Sequence, residues 1–137
     1  MNQIEAPKNI EIRRDFEEEK QNPKYTYYKL YLNEEVIGIA NYRLFNNKAS
    51  YWYIDEFLTS KQHRKQGYGT LLLNYITEKM WSVQELSIHI YPTNQQIPKE
   101  DFIKWLVNRG FVEEPPLVTG QVFCILYFGK LKKINYG

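Results

Sequence analysis

Three consecutive segments of the chain, residues 25–32, 36–44 and 49–59, alternate aromatic or β-branched side chains with polar ones. A period of two residues is typical of strands that bury one face. The polar connections between these segments are short, which favours hairpins and therefore an antiparallel meander. A shorter alternation at 10–12 predicts one more strand ahead of them, and the acidic run at 15–20 predicts a solvated turn or a short helix.

The hydrophobic period then changes to that of a helix. Apolar residues recur every four positions in segment 69–81, which predicts a helix there. A second amphipathic helix is predicted to begin near Pro98, a residue suited to a helix N-terminus, and to end at Gly110. The positions that define the two apolar faces are Leu72, Ile76 and Met80 in the first helix, and Phe102, Trp105, Leu106 and Arg109 in the second.

Three further segments, residues 85–91, 111–112 and 121–128, predict the remaining strands. The predicted order is β-β-β-β-α-β-α-β-β. This order is typical of an α+β domain with a mixed, mostly antiparallel sheet flanked by helices. Because 137 residues is the size of one domain, we expect a single domain over residues 1–137.

The composition excludes several classes of protein. One cysteine, Cys124, rules out an intramolecular disulfide and a cysteine-cluster zinc site, and two histidines, His63 and His89, argue against a histidine-rich metal site. No window approaches the ~18 apolar residues of a membrane span, and the polar start does not resemble a secretory signal. We therefore expect a reduced, cytoplasmic protein that holds no metal and does not associate with membranes.

The charge balance bears on the class of partner. The formal net charge is +2, from 18 basic and 16 acidic residues. Nucleic-acid-binding proteins usually carry a strong basic excess, so we expect no nucleic-acid partner. Aromatic strands and basic residues keep a small nucleic-acid-binding domain as one alternative, which a gel shift at physiological ionic strength would revive.

The segment from residue 61 to residue 70 combines positive charge with glycine. Two glycines permit a tight turn and a close approach of the backbone, and three basic residues fall within five positions. Because the segment joins a predicted strand to a predicted helix, its N–H groups form an anion site, and we predict a phosphate-bearing ligand. The segment matches neither the Walker A loop nor the dinucleotide fingerprint. The residues concerned are Lys61, Arg64, Lys65, Gly67 and Gly69.

Three motifs together resemble the GNAT N-acetyltransferase superfamily. The loop Arg64-Lys65-Gln66-Gly67-Tyr68-Gly69 follows the pattern Arg/Gln-x-x-Gly-x-Gly/Ala of that family's pyrophosphate loop. Tyr53-Ile54-Asp55-Glu56-Phe57-Leu58-Thr59 resembles its central strand, and Asn108-Arg109-Gly110-Phe111 resembles the end of its last helix. The resemblance covers most of the chain. It implies a sheet splayed between the strands that end at Thr59 and Tyr91, with acetyl-CoA in the opening.

The resemblance also implies which residues bind acetyl-CoA as cosubstrate. The backbone of Phe57 and Thr59 would pair with the pantetheine amides like an added strand, and Asn94 would contact pantetheine. The N–H groups expected to hold the pyrophosphate belong to Gln66, Gly67, Tyr68, Gly69 and Thr70. The candidates for the ribose phosphate are Lys61, Arg64 and Lys65.

Acetyl transfer to an amine requires a base, because a primary amine is mostly protonated at neutral pH. Asp55 and Glu56 are the candidate catalytic bases, directly or through water. Strand alternation puts them on opposite faces, with Asp55 beside Tyr53 and Phe57, and a bulge would swap their roles. The backbone N–H of Leu58 is the expected donor to the thioester oxygen.

The sequence departs from the family pattern in two places. Leu106 stands where many members have a tyrosine that protonates the departing thiolate, with Trp105 beside it. Either another residue supplies the proton, with Tyr91 and Tyr127 as candidates, or the thiolate leaves unassisted. The early helices that usually shape the acceptor pocket are reduced, so we expect an acceptor site that is open or completed by a second subunit. Family members often dimerise, which leaves a homodimer open.

The leading prediction is an N-acetyltransferase that transfers acetyl from acetyl-CoA to an amine of a small molecule or a protein. The absent tyrosine motivates an alternative, a GNAT-like module that binds acyl-CoA without catalysis. Acidic residues at 15–19 and 55–56 favour a cationic acceptor. Polyamine, aminoglycoside, amino acid, protein N-terminus and lysine side chain all stay open as acceptors.

Overall fold

The computed structural model describes residues 8–46, 48–92, 97–114 and 123–132. They form a seven-stranded sheet and three α-helices. The strands are β1 (Ile10–Arg14), β2 (Thr26–Leu32), β3 (Glu35–Asn46), β4 (Ser50–Thr59), β5 (Ile88–Ile90), β6 (Val112–Glu114) and β7 (Phe123–Leu126). The helices are α1 (Phe16–Gln21), α2 (Tyr68–Val83) and α3 (Lys99–Asn108).

The strand order in the sheet is β1-β2-β3-β4-β5-β7-β6. The first four strands pair with their sequence neighbours in antiparallel fashion, so the predicted meander is confirmed. The pair of β4 and β5 is parallel, and such a pair needs a crossover connection, which helix α2 provides. The predicted α+β class with a mixed, mostly antiparallel sheet is therefore also confirmed.

The core lies between the sheet and helix α2, with α3 beside it. Leu72, Ile76 and Met80 are completely buried, which confirms the helical period read from the sequence. Fully burying a side chain of this size contributes ~1.5–3 kcal/mol, so tertiary packing rather than helix propensity holds α2 in place. The strand residues that complete this core with no exposed surface are Leu30, Ile54, Ile88, Ile90 and Leu126.

The segment between β1 and β2 contains the six-residue helix α1. The Asp15 carboxylate caps it by accepting a hydrogen bond from the N–H of Glu18 at 3.3 Å. Arg14 forms an ion pair with Glu19 at 2.7 Å, which ties the helix to the end of β1. The short helix predicted at 15–20 is confirmed, and it is the α-helix that the structure describes ahead of β2.

A bulge in β4 changes which side chains share a face. Asn41 of β3 lies opposite Glu56 and Tyr42 lies opposite Ile54, so Asp55 has no partner residue across the ladder. One extra residue resets the alternation of a strand. Ile54 and Phe57 are consequently both buried. The expectation that Asp55 shares a face with Phe57 is wrong, and the bulge considered as the alternative is present.

Candidate active site

The sheet opens where the ladder between β4 and β5 ends. The last paired residues are Ile54 and Ile90, and β4 continues from there to Thr59. β5 is shorter than the predicted strand 85–91, because its parallel ladder with β4 extends over three residues. The divergence confirms the splayed sheet that the family resemblance implied, and a cleft lies on the continuing part of β4.

This cleft has a volume of about 770 Å³ and is bounded by β4, by the loop before α2, and by α3. It collects most of the side chains and glycines predicted to bind acetyl-CoA. Of the predicted residues, Gln66 is exposed outside the cleft lining and Tyr68 is buried beside His63. The predicted residues that line it are Phe57, Leu58, Thr59, Arg64, Lys65, Gly67, Gly69 and Thr70.

The loop before α2 adopts the turn that its glycines predicted. Gly67 has a φ of +85° and directly precedes the helix, and Lys65 also lies in the left-handed region, at +65°. The hydrogen bond from the N–H of Leu71 to the carbonyl of Gly67 begins the intrahelical ladder, so the N–H groups ahead of Leu71 lie at the N-terminal end of the helix. Arg64 donates from Nε to the carbonyl of Thr59 at 3.1 Å, which fixes the loop to the end of β4.

Gly69 lies in a tightly packed place that the motif alone did not show. A Cβ at this position would lie 3.2 Å from the Trp105 ring and 3.3 Å from Oγ1 of Thr59. Glycine therefore lets an indole from α3 close against the first turn of α2. The second glycine of the loop thus shapes the wall of the cleft as well as permitting close approach of the backbone to a ligand.

Aromatic side chains form the wall of the cleft on α3. The Phe57 ring lies 6.4 Å from the Phe102 ring and 5.7 Å from the Trp105 ring, measured between centroids. Leu106 has no exposed surface and belongs to the core. Trp105 and not Leu106 therefore faces the cleft, and no tyrosine lines the cleft in the part of the chain that the structure describes.

The two tyrosines considered as proton donors lie elsewhere. Tyr127 is 45% exposed and donates to Oε1 of Glu114 at 3.1 Å. Tyr91 packs against Tyr53 and Phe123. Since the structure brings neither phenol into the cleft lining, it supplies no support for either as the source of the proton for the thiolate.

A second, smaller cavity of about 200 Å³ is bounded by the α1 region, β2, β3 and the bulged part of β4. Glu56 lines it and is held by Asn41, whose Nδ2 donates to Oε1 of Glu56 at 2.9 Å. The backbone N–H of Glu56 in turn donates to Oδ1 of Asn41 at 2.9 Å. Asn41 is 2% exposed, and it was not among the site residues predicted from the sequence. Asn41 lies inside an alternating strand, and that pattern does not indicate that its side chain would hydrogen-bond the bulged part of β4.

Three carboxylates and one ammonium group border this second cavity. The lining carboxylates are those of Asp15, Glu18 and Glu56, and Lys29 forms an ion pair with Asp15 at 2.8 Å. The hydrogen bond from Lys29 holds the pKa of Asp15 below its ordinary value. Burial, followed by the charges of Glu56 and Glu18, raises the pKa of Tyr27. Tyr27, which also lines the cavity, therefore stays protonated at neutral pH and to a higher pH than an ordinary phenol.

Asp55, the other predicted base, has a tyrosine as its neighbour. The Tyr53 hydroxyl donates to Oδ1 of Asp55 at 3.4 Å. Burial, followed by the Asp55 charge, raises the pKa of Tyr53 to about 12. Asp55 lines neither the large cleft nor the second cavity, whereas Glu56 lines the second.

The remaining sequence candidates fall outside the site or outside the described residues. Asn94 lies outside the described residues. Cys124 is completely buried, and burial raises the pKa of its thiol to about 11, so it is a packing residue. Among residues 8–46, 48–92, 97–114 and 123–132, no helix is long and apolar enough to span a membrane, and no acidic, histidine or cysteine side chains form a group that could hold a metal ion.

Comparison with known proteins identifies the family. Residues 2–97 match the profile of the acetyltransferase (GNAT) family. Because the match extends over more than half of the chain, the protein belongs to this family. The predicted membership is thereby confirmed. No curated protein sequence matches the chain significantly.

Solved structures share the fold at low sequence identity. PaiA N-acetyltransferase from Thermoplasma acidophilum, in complex with coenzyme A, matches 80% of the chain with a TM-score of 0.66 and 12% identity. A GNAT acetyltransferase from Elizabethkingia anophelis, with acetyl-CoA bound, matches 88% with a TM-score of 0.66 and 15% identity. Arabidopsis thaliana Naa50, in complex with a bisubstrate analogue, matches 72% with a TM-score of 0.57 and 21% identity. The chain spans 65%, 99% and 70% of these three proteins, respectively.

Proposed function

We propose that the protein is an N-acetyltransferase that transfers the acetyl group of acetyl-CoA to an amine. The observation that carries this proposal is the placement of two consecutive residues of β4. Phe57 lines the large cleft, and Glu56, the preceding residue, lines the second cavity. We infer that an acyl group bound in the cleft and an amine bound in the second cavity meet at this part of β4, beside the Glu56 carboxylate.

The large cleft suits acetyl-CoA in both shape and charge. The first turn of α2 presents N–H groups for a diphosphate, and Arg64 and Lys65 add positive charge at the same end. The continuing strand from Phe57 to Thr59 offers backbone groups for the pantetheine amides, and the aromatic wall on α3 offers apolar contact. The structures from Thermoplasma and Elizabethkingia, which share this fold, contain coenzyme A and acetyl-CoA.

In the proposed reaction Glu56 accepts a proton from the acceptor amine, directly or through water. The amine nitrogen attacks the acetyl carbonyl carbon, a C–N bond forms, the C–S bond breaks, and coenzyme A leaves as the thiolate. The second proton that the nitrogen loses passes through water to the thiolate or to the solvent. The negative charge that develops on the carbonyl oxygen requires a hydrogen-bond donor on the cleft side of β4. The backbone N–H of Leu58, expected from the sequence to donate there, is in register with Ile39 and points into the ladder with β3. Asn41 holds the Glu56 carboxylate in place throughout.

The second cavity favours an acceptor that carries positive charge. Its lining contributes three carboxylates, those of Asp15, Glu18 and Glu56, against the single ammonium group of Lys29. Tyr27 adds a phenol ring and a hydroxyl donor. Cationic diamines and polyamines therefore head the set of amines to be tested, followed by basic amino acids and peptides with a lysine side chain.

The cytoplasmic location and the homodimer stay predictions.

Replacing Glu56 with glutamine tests the assignment of the base. The release of coenzyme A from acetyl-CoA should be measured with the set of amines, and the variant should lose ~100-fold or more in kcat while it binds acetyl-CoA as the wild type does. Glu35→Gln, an exposed carboxylate at the start of β3, is the matched control and should keep wild-type kcat. If Asp55→Asn abolishes turnover and Glu56→Gln does not, the base is Asp55.

The structure also favours one competing function, a module that binds acyl-CoA without catalysis. Its basis is the burial of Leu106 in the core and the lack of a tyrosine in the described lining of the cleft. Thermal unfolding with acetyl-CoA, and with ATP as a phosphate control, tests binding first. A ligand at a hundred times its Kd adds ~2.7 kcal/mol to the stability of the fold. A stabilisation by acetyl-CoA without turnover of any amine would favour the module, and no stabilisation would refute both functions.

A further inference from the structure

A charged side chain is buried between the two helices that border the large cleft. Arg109 follows the last residue of α3 and is 4% exposed. Its guanidinium lies over the Trp105 ring, with Cζ 3.7 Å from the ring centroid, and its Nη1 donates to the carbonyl of Trp105 at 2.8 Å. Nε and Nη2 both donate to Oγ1 of Thr70, at 2.9 and 2.7 Å. Arg109 also lines the cleft.

These contacts place a permanent positive charge between two opposite helix ends. The C-terminal end of α3 carries partial negative charge and stabilises the guanidinium. Thr70, on the other side, belongs to the first turn of α2, whose N-terminal end carries partial positive charge. Arg109 therefore increases the positive potential at the anion-binding end of α2 and fixes the position of its first turn. An anion bound at that turn relieves the repulsion between the guanidinium and the helix end.

We propose that Arg109 is a positioning residue for the diphosphate of acetyl-CoA, acting through Thr70 and the first turn of α2. The inference rests on the proposed function, because it requires acetyl-CoA to bind in the cleft. Trp105, which forms part of the aromatic wall, is linked to the same side chain, since the guanidinium holds its indole against Gly69. Binding of the diphosphate and formation of the aromatic wall are thus linked through one side chain.

The burial of Arg109 distinguishes it from the other cations of the cleft. Lys65 is exposed, so dissolved salt screens its attraction to phosphate. Arg109 is nearly inaccessible to solvent, and its effect on the diphosphate is screened much less. The two contributions are therefore separable by ionic strength. Loss of Lys65 should matter at low salt and little at high salt, whereas loss of Arg109 should matter at both.

The test compares two ligands that differ in the diphosphate. Acetyl-CoA contains it, and S-acetylpantetheine lacks the whole nucleotide end. Affinities of both should be measured by protein-observed NMR titration at 50 mM and 500 mM NaCl for the wild type, Arg109→Met, Lys65→Met and Lys104→Met. Lys104 is an exposed lysine of α3 outside the cleft lining, so its variant makes the same change of charge without the contacts.

We expect Arg109→Met to bind acetyl-CoA about tenfold more weakly at both salt concentrations, and to bind S-acetylpantetheine as the wild type does. Arg109→Lys, which keeps the charge but not the paired donors, should restore part of the affinity. Lys65→Met should lose affinity only at 50 mM NaCl, and Lys104→Met at neither concentration. An equal loss for both ligands would show that Arg109 merely holds the fold, and no loss for either would also overturn the inference.

Two cases need separate treatment: a variant that does not fold, and a wild type that does not bind acetyl-CoA. If Arg109→Met does not fold, Thr70→Val takes its place, because it removes the shared oxygen at nearly constant volume. We expect it to weaken acetyl-CoA severalfold and leave S-acetylpantetheine unchanged, and wild-type affinity for acetyl-CoA would refute the inference. If the wild type itself does not bind acetyl-CoA, the proposed function fails. If the wild type binds and the variants match it, the inference about Arg109 alone fails.

Discussion

Replacing Asn41 with alanine should destabilise the fold and disturb the candidate base at the same time. The side chain is 2% exposed and makes two hydrogen bonds across the sheet to one residue, Glu56. One of these bonds satisfies the backbone N–H of Glu56, the residue next to the unpaired Asp55 of the β4 bulge. Without Asn41 the carboxylate of Glu56 also loses the donor that fixes its orientation.

The magnitude follows from these contacts. Each hydrogen bond contributes ~1 kcal/mol net, and a backbone N–H left without an acceptor costs ~1–3 kcal/mol more. The Glu56 side chain is exposed, so the bond to its carboxylate counts at the low end. We expect Asn41→Ala to lower the free energy of unfolding by ~2–4 kcal/mol. For a chain of this size that corresponds to a decrease in Tm of very roughly 6–15 °C.

Urea unfolding followed by circular dichroism measures this loss, and Asn46→Ala is the matched control. Asn46 ends the same strand and accepts a hydrogen bond from the Ser50 hydroxyl at 2.7 Å, but it is exposed. Its loss should change the free energy of unfolding by less than ~0.5 kcal/mol. If both variants lose the same small amount, Asn41 does not stabilise the bulge. If Asn41→Ala keeps wild-type kcat in acetyl transfer, the orientation of Glu56 does not matter for the reaction.

Two further predictions concern the fold and its pH dependence. Gly110→Ala should cost more than ~2 kcal/mol of stability in urea unfolding, because φ is +108° and an added Cβ would meet the carbonyl oxygen of Lys130. Gly129→Ala, at φ +79° with open space around it, should cost only ~1 kcal/mol, and equal losses would contradict this steric argument. Burial lowers the pKa of His89 below its ordinary value of about 6.5. The unfolded chain therefore binds more protons than the folded chain at this residue, and the free energy of unfolding should fall as the pH falls below about 6.5. His89→Gln should flatten the difference in stability between pH 7.5 and pH 5, and an unchanged difference would show that another group is responsible.

Local patterns in the sequence predicted most of the strands and helices and the position of the glycine-containing loop. The period of two in β2 and β3 and the period of four in α2 are local properties, because each reports which face of one element is apolar. The turn in the loop from Arg64 to Gly69 could also be predicted, since a turn at positive φ directly before a helix depends on residues that are adjacent in the chain.

Contacts between elements that are distant in sequence determine which side chains line the two cavities. The bulge at Asp55 depends on pairing with β3, and strand alternation by itself cannot show an extra residue. Trp105 rather than Leu106 faces the cleft because the rotation of α3 is set by packing on the sheet, and neighbouring positions of an apolar stripe look alike in sequence. Arg109 meets Thr70 across 39 positions of sequence, a contact that no local pattern contains.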